Sequence, residues 1–215
     1  KIIFGKCLNF KAIFFVFLFA HTNNLLLSRE LRSFSFQTDF LSSNNQSFWL
    51  KSNRWGLKSA KMRHRIFIDY NLQNFNTRIE VVNYANKIGL IEGNISLKQS
   101  FFLLTLGMYK KPLGELNHSL SSGSLISSAN AAPLPKITIE NNHPIKLQFK
   151  NYTLNITGGL SHGLMSDNSY LTNPYLHEKW GYLKIINDQF QFHFGLVHEA
   201  IWGGRTKEHG YLPNS

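Results

Sequence analysis

Hydrophobic and polar residues alternate along most of the chain after residue 60, with a period of two. In IEGNISLK, 91–98, Ile91, Ile95 and Leu97 alternate with polar side chains, and FQFHFGLV, 190–197, repeats the pattern with phenylalanines. This period predicts β-strands with one apolar and one polar face. We therefore predict strands in these two segments and in six others: 63–72, 77–85, 102–109, 145–150, 152–160 and 180–186.

Short segments rich in Asn, Gly and Ser separate the predicted strands. Examples are NLQNFN, ANKIG and SDNSYLTNP. Residues of these types favour tight turns, and no helical period of useful length follows residue 30. The sequence predicts an all-β protein built from consecutive antiparallel hairpins.

The alternation fits two classes of protein equally well. In a soluble sandwich the apolar face packs in a core, whereas in an outer-membrane barrel it contacts lipid and the polar face lines a lumen. Long, mixed polar faces favour the barrel, as do aromatic residues near predicted strand ends. These aromatics are Phe48, Trp49, Tyr70, Tyr109, Tyr152, Trp180 and Trp202. We predict an antiparallel outer-membrane β-barrel, with a secreted β-sandwich as the alternative.

The first twenty residues have the pattern of an export signal. Lys1, Lys6 and Lys11 precede an apolar run, Ala12 to Ala20, that is too short to cross a bilayer as a helix. A buried strand or helix of the folded protein is the alternative. We predict a partial signal peptide at 1–20, cleaved in the Ala20 to Asn24 region, and localisation in the outer membrane. An N-terminal segment at 21–44 and the first part of a larger barrel at 45–215, truncated at its C-terminus, would follow.

Composition and charge limit the kinds of ligand and metal site that the protein can have, but they do not identify a ligand. The chain has 215 residues, a net charge of +11 and only 16% charged residues. A basic surface attracts polyanions such as acidic polysaccharide, nucleic acid or anionic lipid. The single cysteine, Cys7, lies before the apolar run, so the mature protein would have neither a disulfide nor a thiolate metal site. We predict no metal, cofactor, nucleic-acid partner or catalytic residue.

Four stretches, in order, carry a similarity to a known family. They are FWLKSNRWG (48–56), GMYKKPLGELNHSLSSGSLISSANAAPLPKI (107–137), YLHEKWGYLKI (175–185) and FGLVHEAIWGG (194–204). Together they resemble segments of the Wzi-type outer-membrane capsule-assembly family over roughly residues 45–215. The resemblance implies a non-enzymatic, lectin-like barrel that attaches or assembles capsular polysaccharide or exopolysaccharide, with the polysaccharide and membrane lipid as partners.

The long segment between two predicted strands, Leu120 to Lys136, supplies most candidate binding residues. Small hydroxyl and amide side chains let another chain approach closely, lysines attract an acidic glycan, and tryptophans can stack on sugar rings. The candidates facing polysaccharide are Lys110, Lys111, Ser121, Ser122, Ser124, Asn130, Lys136, Trp180 and Trp202. Each also has a structural interpretation, as part of an inter-strand connection, a solvated lysine or an interface aromatic.

Three other functions remain open at the level of sequence. A porin-like channel would share the barrel but conduct small solutes through its lumen. A secreted β-sandwich carbohydrate-binding module would need no membrane, and a polysaccharide hydrolase would need a catalytic carboxylate pair that sequence spacing does not identify.

Overall fold

A computed structural model describes residues 31–40, 55, 62–84, 87–114, 116, 121–124, 126–166 and 170–212. The predicted signal peptide, the remainder of the 21–44 segment around residues 31–40, and all of FWLKSNRWG except Trp55 lie outside the described residues. The described residues form twelve strands. They are β1 (Leu31–Phe40), β2 (Met62–Leu72), β3 (Phe75–Tyr84), β4 (Lys87–Lys98), β5 (Phe102–Met108), β6 (Pro135–Asn141), β7 (Ile145–Phe149), β8 (Tyr152–Leu164), β9 (Tyr175–Ile186), β10 (Gln191–Trp202), β11 (Arg205–Thr206) and β12 (Gly210–Tyr211).

Within this part of the chain there is no helix of the length and hydrophobicity required to cross a membrane.

Ten of the strands form one antiparallel sheet. The order is β1-β2-β3-β4-β5-β6-β8-β9-β10, with β7 paired to the half of β8 that β6 does not reach, while β11 and β12 form a separate two-stranded ribbon. The prediction of an all-β antiparallel fold is confirmed. The sheet does not close on itself over the described residues, because β1 and β10 are its two edges. Closure into a barrel stays a prediction.

All eight predicted strand segments are strands, and the sheet contains two more. β1 lies in the segment that we assigned to the N-terminus ahead of the barrel, and it pairs with β2 over most of its length. β6 begins at Pro135, two residues after Pro133, and these two prolines indicated a loop. Proline is compatible with the first residue of a strand, where its missing N–H need not enter the ladder.

Register divides the sheet into an apolar face and a polar face. On the apolar face, Leu104 lies opposite Leu97 and Ile139, and Ile139 lies opposite Leu160. The same face continues across β9 and β10 through Leu183 and Phe194. On the polar face the corresponding row includes Ser96, Thr105, Thr138, Ser161, Glu178 and Glu199. A row of one chemical character across the strands is what a strict period of two produces.

Burial on the two faces is the reverse of that in a water-soluble domain. The apolar face is exposed, with Phe34 at 62% and Leu196 at 68% of their full accessibility. Among the described residues only four hydrophobic side chains are buried: Val82, Ile91, Leu113 and Leu176. Nine polar or charged residues are buried: Arg63, Asp69, Glu80, Glu92, Asn94, Thr105, Thr138, Ser161 and Glu178. Lys, Glu, Arg and Asp are almost never buried unless they are paired, so the polar face must supply their partners.

The two ends of the sheet differ in the length of their connections. At one end, the short-turn end, β2–β3, β4–β5 and β9–β10 are joined by tight turns, and β7 extends the sheet. At the other end, the long-loop end, β1–β2, β5–β6 and β8–β9 are joined by segments 41–61, 109–134 and 165–174, whereas the β3–β4 connection, residues 85–86, is short. The candidate site is built by the second of these segments.

Candidate functional site: the loop-covered polar face

The segment 109–134, here called the β5–β6 loop, turns back from the end of β5 and packs on the polar face. Its first three residues contact side chains of three strands, β3, β4 and β6. The Tyr109 hydroxyl hydrogen-bonds to Thr138 on β6, the Lys110 ammonium pairs with Glu80 on β3, and the Lys111 ammonium pairs with Glu140 on β6. The loop is therefore fixed to the sheet from its first residues.

Lys110 is the centre of a cluster that includes Trp55, Arg65, Glu80 and Glu92, here called the Trp55 cluster. Its backbone N–H donates to Glu92 Oε1 at 2.7 Å, and its Nζ lies 3.8 Å from both Glu92 Oε2 and the centroid of the Trp55 ring. Arg65 approaches the same ring and pairs with Glu80 at 3.2 Å. Two cations thus neutralise two carboxylates that are almost fully buried, and each cation contacts an aromatic face.

Trp55 connects this cluster to the far part of the β5–β6 loop. It packs against the small apolar core formed by Val82 and Ile91. Its backbone N–H donates to the carbonyl oxygen of Asn130 at 3.0 Å and lies 3.2 Å from the Asn130 side-chain oxygen. Trp55 is therefore held between β3, β4 and the loop.

Lys136, the second residue of β6, forms a second cluster with residues of β8 and β9. Its Nζ lies 2.9 Å from Glu178 Oε2, and the same carboxylate oxygen accepts from the Ser161 hydroxyl. The lysine also lies over the Tyr109 ring, at 5.1 Å from the centroid. Burial raises the pKa of the Tyr109 phenol, chiefly because a phenolate there would lose its hydration, and Glu140 and Glu178 add to the rise. Tyr109 thus stays a neutral hydrogen-bonding group.

The serines of the loop satisfy the loop's own backbone. The Ser124 hydroxyl accepts from the N–H of Ser127 at 3.0 Å, and the Ser121 hydroxyl donates to the carbonyl of Gly123. A short antiparallel bridge joins Gly123 to Ser128. Gly123 has φ +144°, and an added Cβ would lie 2.6 Å from the Ser127 carbonyl oxygen, so only glycine fits at this tight return. Leu113, a residue of the same loop, is buried.

The structure places the nine predicted polysaccharide-facing residues in three different settings. Lys110, Lys111 and Lys136 are engaged in ion pairs with carboxylates of the sheet. Ser121 and Ser124 are partly buried in loop hydrogen bonds, Ser122 is exposed, and Asn130 contacts Trp55. Trp180 lies on the polar face in the middle of β9, whereas Trp202 ends β10 on the apolar face. Contact of these residues with polysaccharide stays a prediction.

Sequence analysis did not identify the acidic side of the site. Glu80 and Glu92 were missed because they alternate with apolar residues like any other polar strand position, and Glu140 and Glu178 because they lie outside the eight predicted strand segments. Burial is what requires partners, since Glu is almost never buried unless it is paired, and burial is not visible in the sequence. Among the described residues no group of three or more His, Cys, Asp or Glu side chains has the geometry of a metal site.

Comparison of the chain with family models, with curated proteins and with solved structures finds no match.

Proposed function

We propose that this chain is part of an outer-membrane β-barrel whose apolar face contacts lipid and whose polar face lines a lumen closed by the β5–β6 loop. The observation that carries the proposal is the inverted burial: large apolar side chains are exposed across the whole sheet, while paired charges are buried behind it. Leaving such a face in water would cost free energy, about 25 cal/mol for each Å² of apolar surface that is not buried. In lipid it costs nothing.

The alternative of a soluble β-sandwich needs a second sheet over the apolar face. Over the described residues the only other sheet is the β11–β12 ribbon of two short strands, which cannot cover ten strands. The two edges of the large sheet support the same proposal, because unpaired backbone groups are not tolerated in hydrocarbon and would have to be paired by further strands. The short-turn and long-loop ends also match the periplasmic and extracellular ends of outer-membrane barrels.

Within this class we propose a non-enzymatic role in retaining or assembling surface polysaccharide. Support comes from the resemblance of four stretches to the Wzi-type family and from the β5–β6 loop, which is fixed over the polar face by ion pairs. A closed lumen suits a protein that holds a polymer at the surface better than one that conducts solutes. The loop is accordingly the element to test.

The test replaces residues 113–132 of the full-length protein with a Gly-Ser linker of equal length, which retains Tyr109, Lys110 and Lys111. We expect the protein to remain in the membrane fraction and to stay heat-modifiable, while cells release more polysaccharide into the medium. Equal retention with a folded variant would reject the polysaccharide role of the loop. In planar bilayers we expect the variant to conduct and the parent protein to be closed; an open parent protein would favour the channel instead.

A further inference from the structure

A cluster of basic and aromatic side chains interrupts the apolar face at its long-loop end. His162 on β8, His177 and Lys179 on β9, and His198 on β10 lie on this face, as their register with Ile137, Leu160 and Ala200 requires. Tyr175 and Trp202 lie beside them, nearer to the strand ends. We call these six residues the histidine cluster.

The rings of the histidine cluster are in contact with one another. His162 Nδ1 lies 3.1 Å from His177 Nδ1, and the His162 ring lies 5.2 Å from that of Trp202. Tyr175 stacks on Trp202 at 4.9 Å, and His198 lies 6.3 Å from His177. Lys179 lies opposite His198 on the neighbouring strand. The cluster is a continuous surface across three strands.

The positive charge of the histidine cluster has no carboxylate to balance it on the apolar face of these three described strands. By register, the described residues on the apolar face of β8, β9 and β10 include no carboxylate. The two nearest carboxylates in the chain, Glu178 and Glu199, lie on the polar face, where Glu178 is paired with Lys136. Below the cluster, toward the short-turn end, the same strands present only apolar residues and glycine on this face, such as Leu183, Phe194 and Leu196.

We infer that the histidine cluster binds the phosphate head group of an anionic lipid in the outer leaflet, an inference that rests on the proposed barrel. The apolar band fixes the position of the acyl chains, so the cluster lies where the hydrocarbon ends and head groups begin. Tyr and Trp are the residues that occupy this boundary. Lys and protonated His donate charge-assisted hydrogen bonds to phosphate oxygens. A simple aromatic girdle would not require a lysine and three histidines on one patch.

The test uses the protein reconstituted in phosphatidylcholine bilayers with a minor fraction of spin-labelled lipid, either phosphatidylglycerol or phosphatidylcholine. We expect a preference for phosphatidylglycerol that Lys179→Gln lowers about five-fold, the effect of one basic residue at a membrane surface. Lys184→Gln is the matched control, because Lys184 lies on the same strand but on the polar face. Its preference should equal that of the parent protein.

A second readout needs no variant. The preference should be larger at about pH 5 than at about pH 8, because histidine gains its charge between them. Equal preference for the two lipids in an inserted protein, or a preference that Lys184→Gln lowers as much as Lys179→Gln, would overturn the inference. A preference abolished by EDTA would do so too, since it would show a metal bridging the histidines. Failure of the protein to enter the bilayer would instead contradict the proposed barrel.

Discussion

Gly107 shows how closely two neighbouring strands approach at the start of the β5–β6 loop. It has φ +117°, and an added Cβ would lie 2.1 Å from the carbonyl oxygen of Gly93 and 2.9 Å from Cα of Asn94. Both obstacles are backbone atoms of β4, which cannot move without disturbing the ladder. The end of β5, from which the loop departs, therefore contains a position that only glycine can occupy.

We expect Gly107→Ala to lower the free energy of unfolding by about 1–3 kcal/mol, the usual cost of a residue forced into a sparsely populated backbone conformation. Gly181→Ala is the control, because its Cβ would meet nothing within 4 Å and its backbone is extended. Urea unfolding of the protein in detergent micelles measures both. Equal stability of the two variants would contradict the close approach of the β4 backbone to Gly107.

Lys110 holds two carboxylates whose side chains are only 6% and 5% exposed, Glu80 and Glu92. We expect Lys110→Ala to destabilise the protein by about 3–5 kcal/mol, because removal of one partner leaves buried charge uncompensated. Lys111→Ala, at the next position, should cost about 0–1 kcal/mol, since the Lys111 side chain is 39% exposed and solvent weakens the attraction within an exposed ion pair.

The same unfolding experiment compares the two lysine variants. Adding Glu92→Gln to Lys110→Ala should recover part of the loss, because a neutral amide needs no cation, while Glu80 keeps its pair with Arg65. If Lys111→Ala proves the more costly substitution, or if Glu92→Gln recovers nothing, the Trp55 cluster does not fix the loop in the way described.

At the scale of elements, the period of two was sufficient to predict eight strands and their facing residues. β7 is a clear case, because Ile145, Leu147 and Phe149 pair with the apolar residues of β8, while Lys146 and Gln148 pair with Asn155 and Thr153. Alternation determines faces directly, since one strand residue in two points to each side.

The contacts of the β5–β6 loop could not be predicted from the sequence. They depend on which strands lie next to one another and on how the loop returns across them, and neither is encoded by local periodicity. Lys110 pairs with Glu80, thirty positions away in the chain, and Lys136 pairs with Glu178, forty-two positions away. For the same reason, period alone could not determine whether the apolar face lies against a core or against lipid.

Cysteine labelling on β7 tests which of these environments the apolar face meets. In the reconstituted protein we expect a Leu147→Cys thiol to react with a lipid-soluble maleimide and to be shielded from a charged one. Gln148→Cys is the matched control on the next residue, and it should show the opposite selectivity. Both side chains are exposed in the described part of the chain, so access to solvent alone does not predict a difference. The reverse pattern of labelling would argue against contact with lipid.

At the scale of the whole molecule, the sheet combines an exposed apolar face with two edges that no other described strand pairs. We expect the protein to enter the detergent phase in Triton X-114 phase separation. Serine at Phe192, Phe194 and Leu196, three exposed apolar residues of the edge strand β10, should shift part of the protein to the aqueous phase. Recovery of the unsubstituted protein as a monomer in the aqueous phase would indicate a soluble fold and contradict the barrel.

The order of strands in the sheet, which follows the order of strands in the chain apart from β7, has a consequence for biogenesis. Every strand from β2 to β6 finds its partner in the strand made immediately before it, and so do β9 and β10. Apart from the long connections 41–61, 109–134 and 165–174, contacts of this kind close short loops, so a chain delivered from its N-terminus can add one strand at a time. The β5–β6 loop can contact β3 and β4 as soon as they exist, and its lysine can neutralise their carboxylates before β8 and β9 arrive. The charges that line the polar face would therefore be paired in stages, as successive strands are added, rather than all at once when the sheet is complete.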